Sequence, residues 1–378
     1  MSKRVILPGS TIGILGGGQL GRMTAIEAKK MGYRVLCLDP TPDSPCGQVS
    51  DGQIVGSFND LAAAEKLAEQ SDVLVYEFEN ISASVVGALE QQYYVPQGSE
   101  ILSITQHRVL EKGHLAKHLF PIAPYAVVNS EARLICALEQ IGYPAVLKSA
   151  TGGYDGKGQQ VLRSQDDIPA AMALYGRGGQ FVLEKFVQLL GEVSVIVARN
   201  GHGTTSLFPV AENLHRDNIL HTTVVPARIN ASLEEEAQSL AKRIADSLQL
   251  VGILAVEMFV TPQGLMVNEL APRPHNSGHF SFGACHTSQF EQFVRAVCGL
   301  PFGSTELLFP AVMVNVLGAD MPSLMKIIPY LPTNVKLHLY GKSGQAQYGR
   351  KMGHLLIKTN EPDLAIEWAE ETLWGLKV

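Results

Sequence analysis

The segment that most restricts the fold lies at residues 11–39. Thr11–Leu15 is a short apolar run, and Gly16-Gly17-Gly18-Gln19-Leu20-Gly21 follows it. Residues 22–31 carry a helical pattern that stops at Gly32, and 34–38 is a second apolar run ending at Asp39-Pro40. Strand, glycine turn, helix and strand in that order make a crossover unit, whose two strands lie parallel in one sheet. Val73–Tyr76, running into Glu77-Phe78-Glu79-Asn80, adds another buried strand. Residues 1–104 therefore read as an α/β domain on a parallel sheet.

The Gly16-x-Gly18-x-x-Gly21 spacing, with Asp39 closing the next strand, matches the dinucleotide-binding fingerprint. Its physics is more general. Glycines let the backbone approach an anion, and the helix N-terminus offers unpaired N–H groups at the positive end of its dipole. A phosphate or phosphosugar site, a nicotinamide site and a bare packing turn all satisfy the pattern. Gln19 favours the first, because it puts a polar side chain where dinucleotide loops are usually small or apolar.

Beyond a helix near 106–118 the pattern changes. Strands are expected at 145–148, 180–187, 192–198, 205–211, 253–261 and 265–269, with helices at 131–141, 166–175, 233–248 and 289–298. Tight turns between successive strands predict α+β sheets that are largely antiparallel. From about Gly299 short strands alternate with Pro and Gly, and the chain ends in a helix near 363–373.

The 378 residues are 46% hydrophobic, enough for two or three domains with a sizeable core, which excludes general disorder. The net charge of −6 provides no global basic field, so no nucleic-acid partner is expected. Cys37, Cys46, Cys136, Cys285 and Cys298 form no C-x-x-C pair, which argues against a disulfide framework or structural zinc and for a reducing, cytoplasmic setting. Lys3-Arg4 and Val5-Ile6-Leu7 imitate a signal peptide until Pro8-Gly9-Ser10 breaks the run. The longest apolar stretch, 307–319, contains Pro310, Asn315 and Gly318 and is too short for a bilayer, so a soluble protein with no membrane partner is expected.

Four further constellations carry chemistry. Lys148 ends a strand before Thr151-Gly152-Gly153-Tyr154-Asp155-Gly156-Lys157-Gly158-Gln159, a flap of backbone donors suited to a triphosphate, though not a Walker A loop. Glu257 and Glu269 flank a hairpin whose three-residue loop, Pro262-Gln263-Gly264, is centred on Gln263; that centring sets the two carboxylates opposite one another. Like charges so placed repel, and the apolar Val256, Met258, Phe259 and Val267 worsen the desolvation. A hard divalent cation such as Mg²⁺ removes the conflict. Ala271-Pro272-Arg273-Pro274-His275-Asn276-Ser277-Gly278-His279 then forms a rigid loop of donors for an oxyanion. Glu184-Lys185-Phe186-Val187 ends a buried strand whose edge can pair with adenine, with Glu192 near a ribose; a plain strand is the simpler reading of those residues alone. Near the C-terminus, Tyr348-Gly349-Arg350-Lys351 sets two cations beside glycines, which is either a solvated surface or a cover for an anion.

Together these segments resemble the ATP-grasp superfamily, and within it most closely the carboxyaminoimidazole ribonucleotide synthetases of purine biosynthesis. The resemblance rests on residues 12–23, on Glu77-Phe78-Glu79-Asn80, on the 152–158 flap and on residues 268–279, and so spans most of the chain. It implies a Rossmann-like N-terminal domain (1–104), an ATP-grasp domain (105–300, with a lid at about 122–187) and a small C-terminal domain (301–378). The implied reaction is carboxylation of 5-aminoimidazole ribonucleotide by ATP and bicarbonate through carboxyphosphate, in a cytoplasmic homodimer.

By that resemblance Arg108, Lys148 and His215 would contact ATP phosphates beneath the flap of Gly153, Tyr154, Asp155, Gly156, Lys157, Gly158 and Gln159. Glu184, Lys185, Phe186 and Val187 would hold adenine and Glu192 the ribose, while Glu257 and Glu269 would bind Mg²⁺ with Asn268 beside them. Gly17, Gly18, Gln19, Leu20 and Glu77 would seat the ribonucleotide, with Tyr154 and Arg350 reaching it. Arg273, His275 and Asn276 would hold carboxyphosphate or the CO₂ it releases, Lys351 would help bring up the amine, and either Asp155 or His275 would manage the amine proton. One position departs from the superfamily: many members carry E-x-N-x-R, whereas Glu269-Leu270-Ala271-Pro272-Arg273 has Ala271 where a further metal ligand would stand. The rival readings are a formate-dependent glycinamide ribonucleotide transformylase-like ligase and, more distantly, an NAD-dependent oxidoreductase.

Overall fold

The computed structural model describes residues 4–153, 158–175, 179–342 and 348–375. Its first sheet is parallel and ordered β3-β2-β1-β4, from β1 (Thr11–Leu15), β2 (Arg34–Asp39), β3 (Gly52–Val55) and β4 (Val73–Tyr76). The helices α1 (Gln19–Lys30), α2 (Leu61–Ala68) and α3 (Ala83–Leu89) accompany it. All four residues of β4 are buried, as the continuous apolar run requires of a strand covered on both faces. The edge strand β3, half-buried and only four residues long, carries no apolar alternation to announce it.

Two short helices follow, α4 (Glu100–Thr105) and α5 (Arg108–Lys117). The single helix expected from residue 106 starts later because His107 is extended, at φ −127° and ψ 105°. The second sheet is antiparallel, β5-β8-β6-β7, built from β5 (Tyr125–Val128), β6 (Ala145–Ser149), β7 (Gln159–Leu162) and β8 (Phe181–Lys185). Beside it lie α6 (Glu131–Ile141) and α7 (Ile168–Tyr175). Ser130 caps α6 by accepting from Arg133 N–H, and Gly142 at φ +73° ends it, so that Leu134, Ala137 and Leu138 face the core.

The third sheet dominates the molecule. It contains β9 (Gly191–Arg199), β10 (Thr205–Leu207), β11 (Ala211–Arg216), β12 (Ile219–Val225), β13 (Gly252–Thr261), β14 (Gly264–Ala271), β15 (Ala311–Leu317), β16 (Val335–Leu339) and β17 (Lys351–Lys358). The order is β14-β13-β9-β11-β12-β15-β17-β16, with β10 paired to β9, and every pairing is antiparallel. The one strand expected at 205–211 is two. Pro209 has no N–H for the ladder, and pairing to β9 resumes at Ala211 with one residue extra.

The long helix α8 (Ala231–Ser247) shows how this sheet is backed. Asn230 accepts from Leu233 N–H at its start, and Ala237, Leu240, Ala241, Ile244 and Ala245 are buried at helical spacing. Each Leu or Ile in that stripe contributes about 1.5–3 kcal/mol by burial. On the other side Ile12, Ile14 and Val35 of the first sheet share one core with Ile196, Ala198, Phe293 and Val297. The segment after Gly299 is not a sheet of its own, because β15 pairs with β12 and carries β17 and β16 with it. The remaining helices are α9 (Ser281–Ala284), α10 (Gln289–Val297), α11 (Met321–Ile327) and α12 (Pro362–Trp374). Among the described residues no helix is long and apolar enough to cross a membrane.

Candidate active site

The two glutamates do face one another, with Glu257 paired to Glu269 across β13 and β14, but the reason differs from the expected one. Thr261 pairs with Gly264, so the loop is the two residues Pro262-Gln263. A regular ladder continuing from Met258–Val267 would set Glu257 against Asn268. An extra residue at this point shifts the register and brings Glu269 opposite instead. Such bulges re-aim side chains beside functional sites. Burial and the Glu269 charge push the Glu257 carboxyl up to about 8. Arg108 Nη2 lies 3.9 Å from Glu269 Oε2, too far to quench that conflict. Among the described residues no cluster of three or more His, Cys, Asp or Glu side chains suits a metal. A carboxylate pair by itself fits Mg²⁺, which keeps waters and phosphate oxygens as its other ligands.

On the second sheet, Lys148 Nζ lies 3.1 Å from Glu184 Oε2, and the fully buried Lys112 of α5 lies 3.4 Å from the same oxygen. Burial would raise the Glu184 carboxyl, but Lys112 and Lys148 outweigh it and hold it below the usual range. Burial lowers Lys148 more than Glu184 restores it. Arg108 N–H donates to Ala150 O at 2.8 Å, fixing the start of α5 to the root of the glycine-rich flap. His215, opposite a bulge whose extra residue lies in β12, meets Glu192 at 3.4 Å. Burial opposes the charged imidazole, yet Glu192 keeps it above its ordinary value.

The loop after β14 is held from beneath. Gln289 Oε1 accepts from His275 N–H (2.9 Å) and its Nε2 donates to His275 O (2.8 Å). Ser194 donates to Ser277 (2.8 Å) and accepts from Asn213 (2.9 Å), which in turn accepts from Thr223 (3.1 Å). His275 Nδ1 accepts from Ser277 N–H (3.3 Å), so Nε2 carries the proton that points at Glu257 Oε1, 3.0 Å away. Burial, Arg273 and Lys351 push this imidazole well below its ordinary range and keep it neutral. Arg273 bonds Glu79 through Nε, and this charge outweighs burial to hold the Glu79 carboxyl low. The Asn276 amide is buried with neither Oδ1 nor Nδ2 partnered by a described residue, polar groups that a bound reactant would satisfy.

The glycine turn is filled by the chain's own carboxylates. Gly17 N–H donates to Asp39 Oδ2 (2.9 Å), while Gly18 and Gly21 N–H groups donate to the two oxygens of Glu77. A Cβ at Gly16 would meet Glu77 Cγ at 2.4 Å, which is why this turn requires glycine. Asp39 also accepts from Thr41 N–H through Oδ1 (2.8 Å), so each of its oxygens holds one backbone N–H. The N–H groups of Gln19 and Leu20 donate to none of the described residues and remain for a phosphate. Burial pushes Glu77 up to about 7, against the two backbone bonds.

Ion pairs and charge interactions thus link Arg108, Lys148, Glu184, Glu192, His215, Glu257, Glu269, Arg273 and His275 into one polar network, with Asn276 next to His275 in the chain and Lys351 within electrostatic reach of Glu79, His215 and His275. Tyr154, Asp155, Gly156 and Lys157 lie outside the described residues; Gly153 is exposed and Gly158 O accepts from Ser149 N–H at 2.8 Å. The strand bearing Glu184 and Lys185 is not an edge, since β8 pairs on both sides. Phe186 N–H still donates to Pro144 O (3.1 Å), so Val187 is the first of these residues past the pairing, and Lys185 Nζ is turned to Tyr143 O (3.2 Å).

Sequence reasoning missed Glu111, Lys112 and Lys342. Charges at 111 and 112 one turn before Leu115, on the buried face of α5, were the available signal for the first two. Lys342 sits over the Tyr340 ring at 5.6 Å, within reach of Glu77 and Arg350, and burial lowers it to about 8. A cavity of about 350 Å³ lined by Asn80–Ser84, Gln106, Thr151 and Gly152 holds none of these charges.

Three family models match parts of the chain. Residues 9–106 match a ribonucleotide synthetase preATP-grasp domain, 113–290 an ATP-grasp domain and 311–367 a phosphoribosylaminoimidazole carboxylase C-terminal domain. The N5-carboxyaminoimidazole ribonucleotide synthase of Bacillus subtilis is 50% identical over 372 residues, covering 98% of this chain and 96% of that one. The crystal structure of an ADP complex of N5-carboxyaminoimidazole ribonucleotide synthetase superposes with a TM-score of 0.96 at 52% identity, covering 99% of both chains. The Aspergillus clavatus enzyme, in complex with ADP and 5-aminoimidazole ribonucleotide, gives 0.90 at 31% identity, covering 97% of this chain and 99% of that one.

Proposed function

The chain belongs to the N5-carboxyaminoimidazole ribonucleotide synthase family, and we propose from that premise how its own residues divide the work. It is an ATP-dependent carbon–nitrogen ligase of purine biosynthesis that carboxylates 5-aminoimidazole ribonucleotide with ATP and bicarbonate. The observation that carries the assignment of roles is the His275–Glu257 contact of 3.0 Å, which joins the donor loop to the carboxylate pair in one network.

Bicarbonate is a poor electrophile because hydroxide leaves badly. Its oxygen attacks the γ-phosphorus of ATP, ADP departs, and the resulting carboxyphosphate carries phosphate as its leaving group. Arg108, Lys148 and His215 hold the phosphates, and Lys148 exchanges Glu184 for them while Lys112 keeps Glu184 neutralised. Glu257 and Glu269 would hold Mg²⁺, which when bound neutralises phosphate charge. Arg273, His275 and Asn276 keep carboxyphosphate, or CO₂ released from it, from water; the neutral His275 donates through Nε2 and so orients without adding charge. Gln19 and Leu20 N–H groups with Arg350 bind the ribonucleotide phosphate, and Glu77 holds the turn that presents them. Lys351 steers the exocyclic amine, which attacks the carbon as phosphate leaves, and the amine proton passes to Asp155, because His275 carries its proton on Nε2 and its Nδ1 accepts from Ser277 N–H. Family resemblance supports a homodimer, and free cysteines at all five positions support a cytoplasmic setting.

Phosphate release from Mg-ATP tests the reading. Release that requires 5-aminoimidazole ribonucleotide, rises with bicarbonate and yields the carboxylated nucleotide is expected. Release driven instead by glycinamide ribonucleotide with formate would overturn it.

A further inference from the structure

The strand that carries Glu269 is the edge of the nine-stranded sheet, so backbone groups on its outer side meet no neighbouring strand. The chain just before the second sheet supplies their partners. Val267 N–H donates to Pro121 O (2.7 Å), Leu270 N–H donates to Glu111 Oε2 (3.1 Å), and Lys112 Nζ donates to Asn268 O (3.0 Å). The last two groups flank Glu269 on either side in sequence. Consecutive helical side chains diverge by about 100°, so neighbouring residues of α5 can reach both flanks of a single residue. Glu111 and Lys112 are 3% and 0% exposed, and neither is spent on solvent.

What they hold is the extra residue in the ladder. A bulge is the one place in this hairpin where the register is not dictated by the turn, and a slip of one residue reverses every side chain beyond it. Were the ladder regular, Asn268 would oppose Glu257 and the Glu269 carboxylate would turn to the far face. We propose that Glu111 and Lys112 are positioning residues that clasp the Leu270 N–H and the Asn268 carbonyl, and so pin the bulge that turns Glu269 toward Glu257. Through its second contact, 3.4 Å to Glu184, Lys112 also ties the metal-side strand to β8 of the second sheet. The inference rests on reading Glu257 and Glu269 as the Mg²⁺ pair.

The test uses Mn²⁺ as the probe, measured by loss of its free electron paramagnetic resonance signal on binding to the full-length protein with ADP. Glu111→Leu, which removes the acceptor, is expected to weaken Mn²⁺ binding about tenfold, as loss of a group supporting a metal ligand commonly does. Hydrogen exchange of the Leu270 amide should quicken in the ligand-free protein. Glu111→Gln, which keeps an oxygen for that N–H, should restore most of the affinity. Should Glu111→Leu not fold, Glu111→Asp withdraws the acceptor by one methylene and carries the same comparison. Unchanged Mn²⁺ affinity with a lowered melting temperature would mean a merely structural role and overturn the inference alone. A wild-type ADP complex that binds no Mn²⁺ would overturn the metal pair and the inference with it.

Discussion

Glu257→Gln should make the metal-free protein more stable while removing its response to Mg²⁺. Glu257 is 15% exposed at its side chain, and burial with the facing Glu269 raises its carboxyl from 4.5 to about 8. In the folded state it therefore binds a proton that the unfolded chain has released. Stability from this group is intact below about pH 4.5, falls as pH rises toward 8, and is flat above. At about 1.4 kcal/mol per pH unit the cost is about 2 kcal/mol at pH 6 and about 4 kcal/mol at pH 8. Glutamine keeps the shape and an acceptor for His275 Nε2–H, 3.0 Å away, without the charge. For a chain of this size the melting temperature should rise roughly 2 °C per kcal/mol, so calorimetry in EDTA should find the variant higher by about 4 °C at pH 6 and about 8 °C at pH 8. Adding Mg-ADP should reverse the order, because only the wild type gains a metal ligand. A difference that does not grow from pH 6 to pH 8, or equal stabilisation of both proteins by Mg-ADP, would refute the opposed-carboxylate reasoning.

Glu77→Ala strips the Gly18 and Gly21 N–H groups of their acceptors and should cost about 3–5 kcal/mol in urea unfolding; millimolar inorganic phosphate should restore more of the loss than it adds to wild type, and no rescue would count against an anion site there. Arg273→Met leaves Glu79, whose side chain is 34% exposed, without its partner, at about 1–2 kcal/mol. The double variant with Glu79→Gln should recover the stability but not phosphate release, and recovery of both would remove Arg273 from the chemistry. Burial depresses His354 to about 3 and His338 to about 4, so both bases stay neutral when folded. Their stability is present above about pH 6.5 and lost as pH falls toward those values, at about 1.4 kcal/mol per unit for each. His354→Gln should make the urea midpoint fall less steeply between pH 6 and 4, and an unchanged slope would refute its neutral burial.

Much of the fold was legible because it rests on local periodicity. The parallel sheet followed from the apolar runs at 11–15, 34–38 and 73–76, and antiparallel sheets from the tight turns after them. Elements without a strong apolar period escaped, β3 among them, and Pro209 divided a strand whose hydrophobicity reads as continuous. The residue types of the site could be read from the 257–279 run and the glycine-rich flap, since carboxylates among apolar neighbours and a lysine before glycines have few physical explanations.

The sequence by itself determined which groups are present and the pattern that sets Glu257 and Glu269 on one hairpin. Only the tertiary structure decided how they meet: a two-residue loop and a bulge at Asn268 reach the same pairing that a regular three-residue loop would have given. Register at a bulge depends on what lies beyond the strand, here Glu111 and Lys112 some 150 residues earlier in the chain. The same holds for the glycine turn, where Glu77 and Asp39 take three N–H groups that the pattern alone assigns to a ligand. A backbone donor's partner is whichever acceptor the packed chain brings within reach, and local sequence carries no record of that distance.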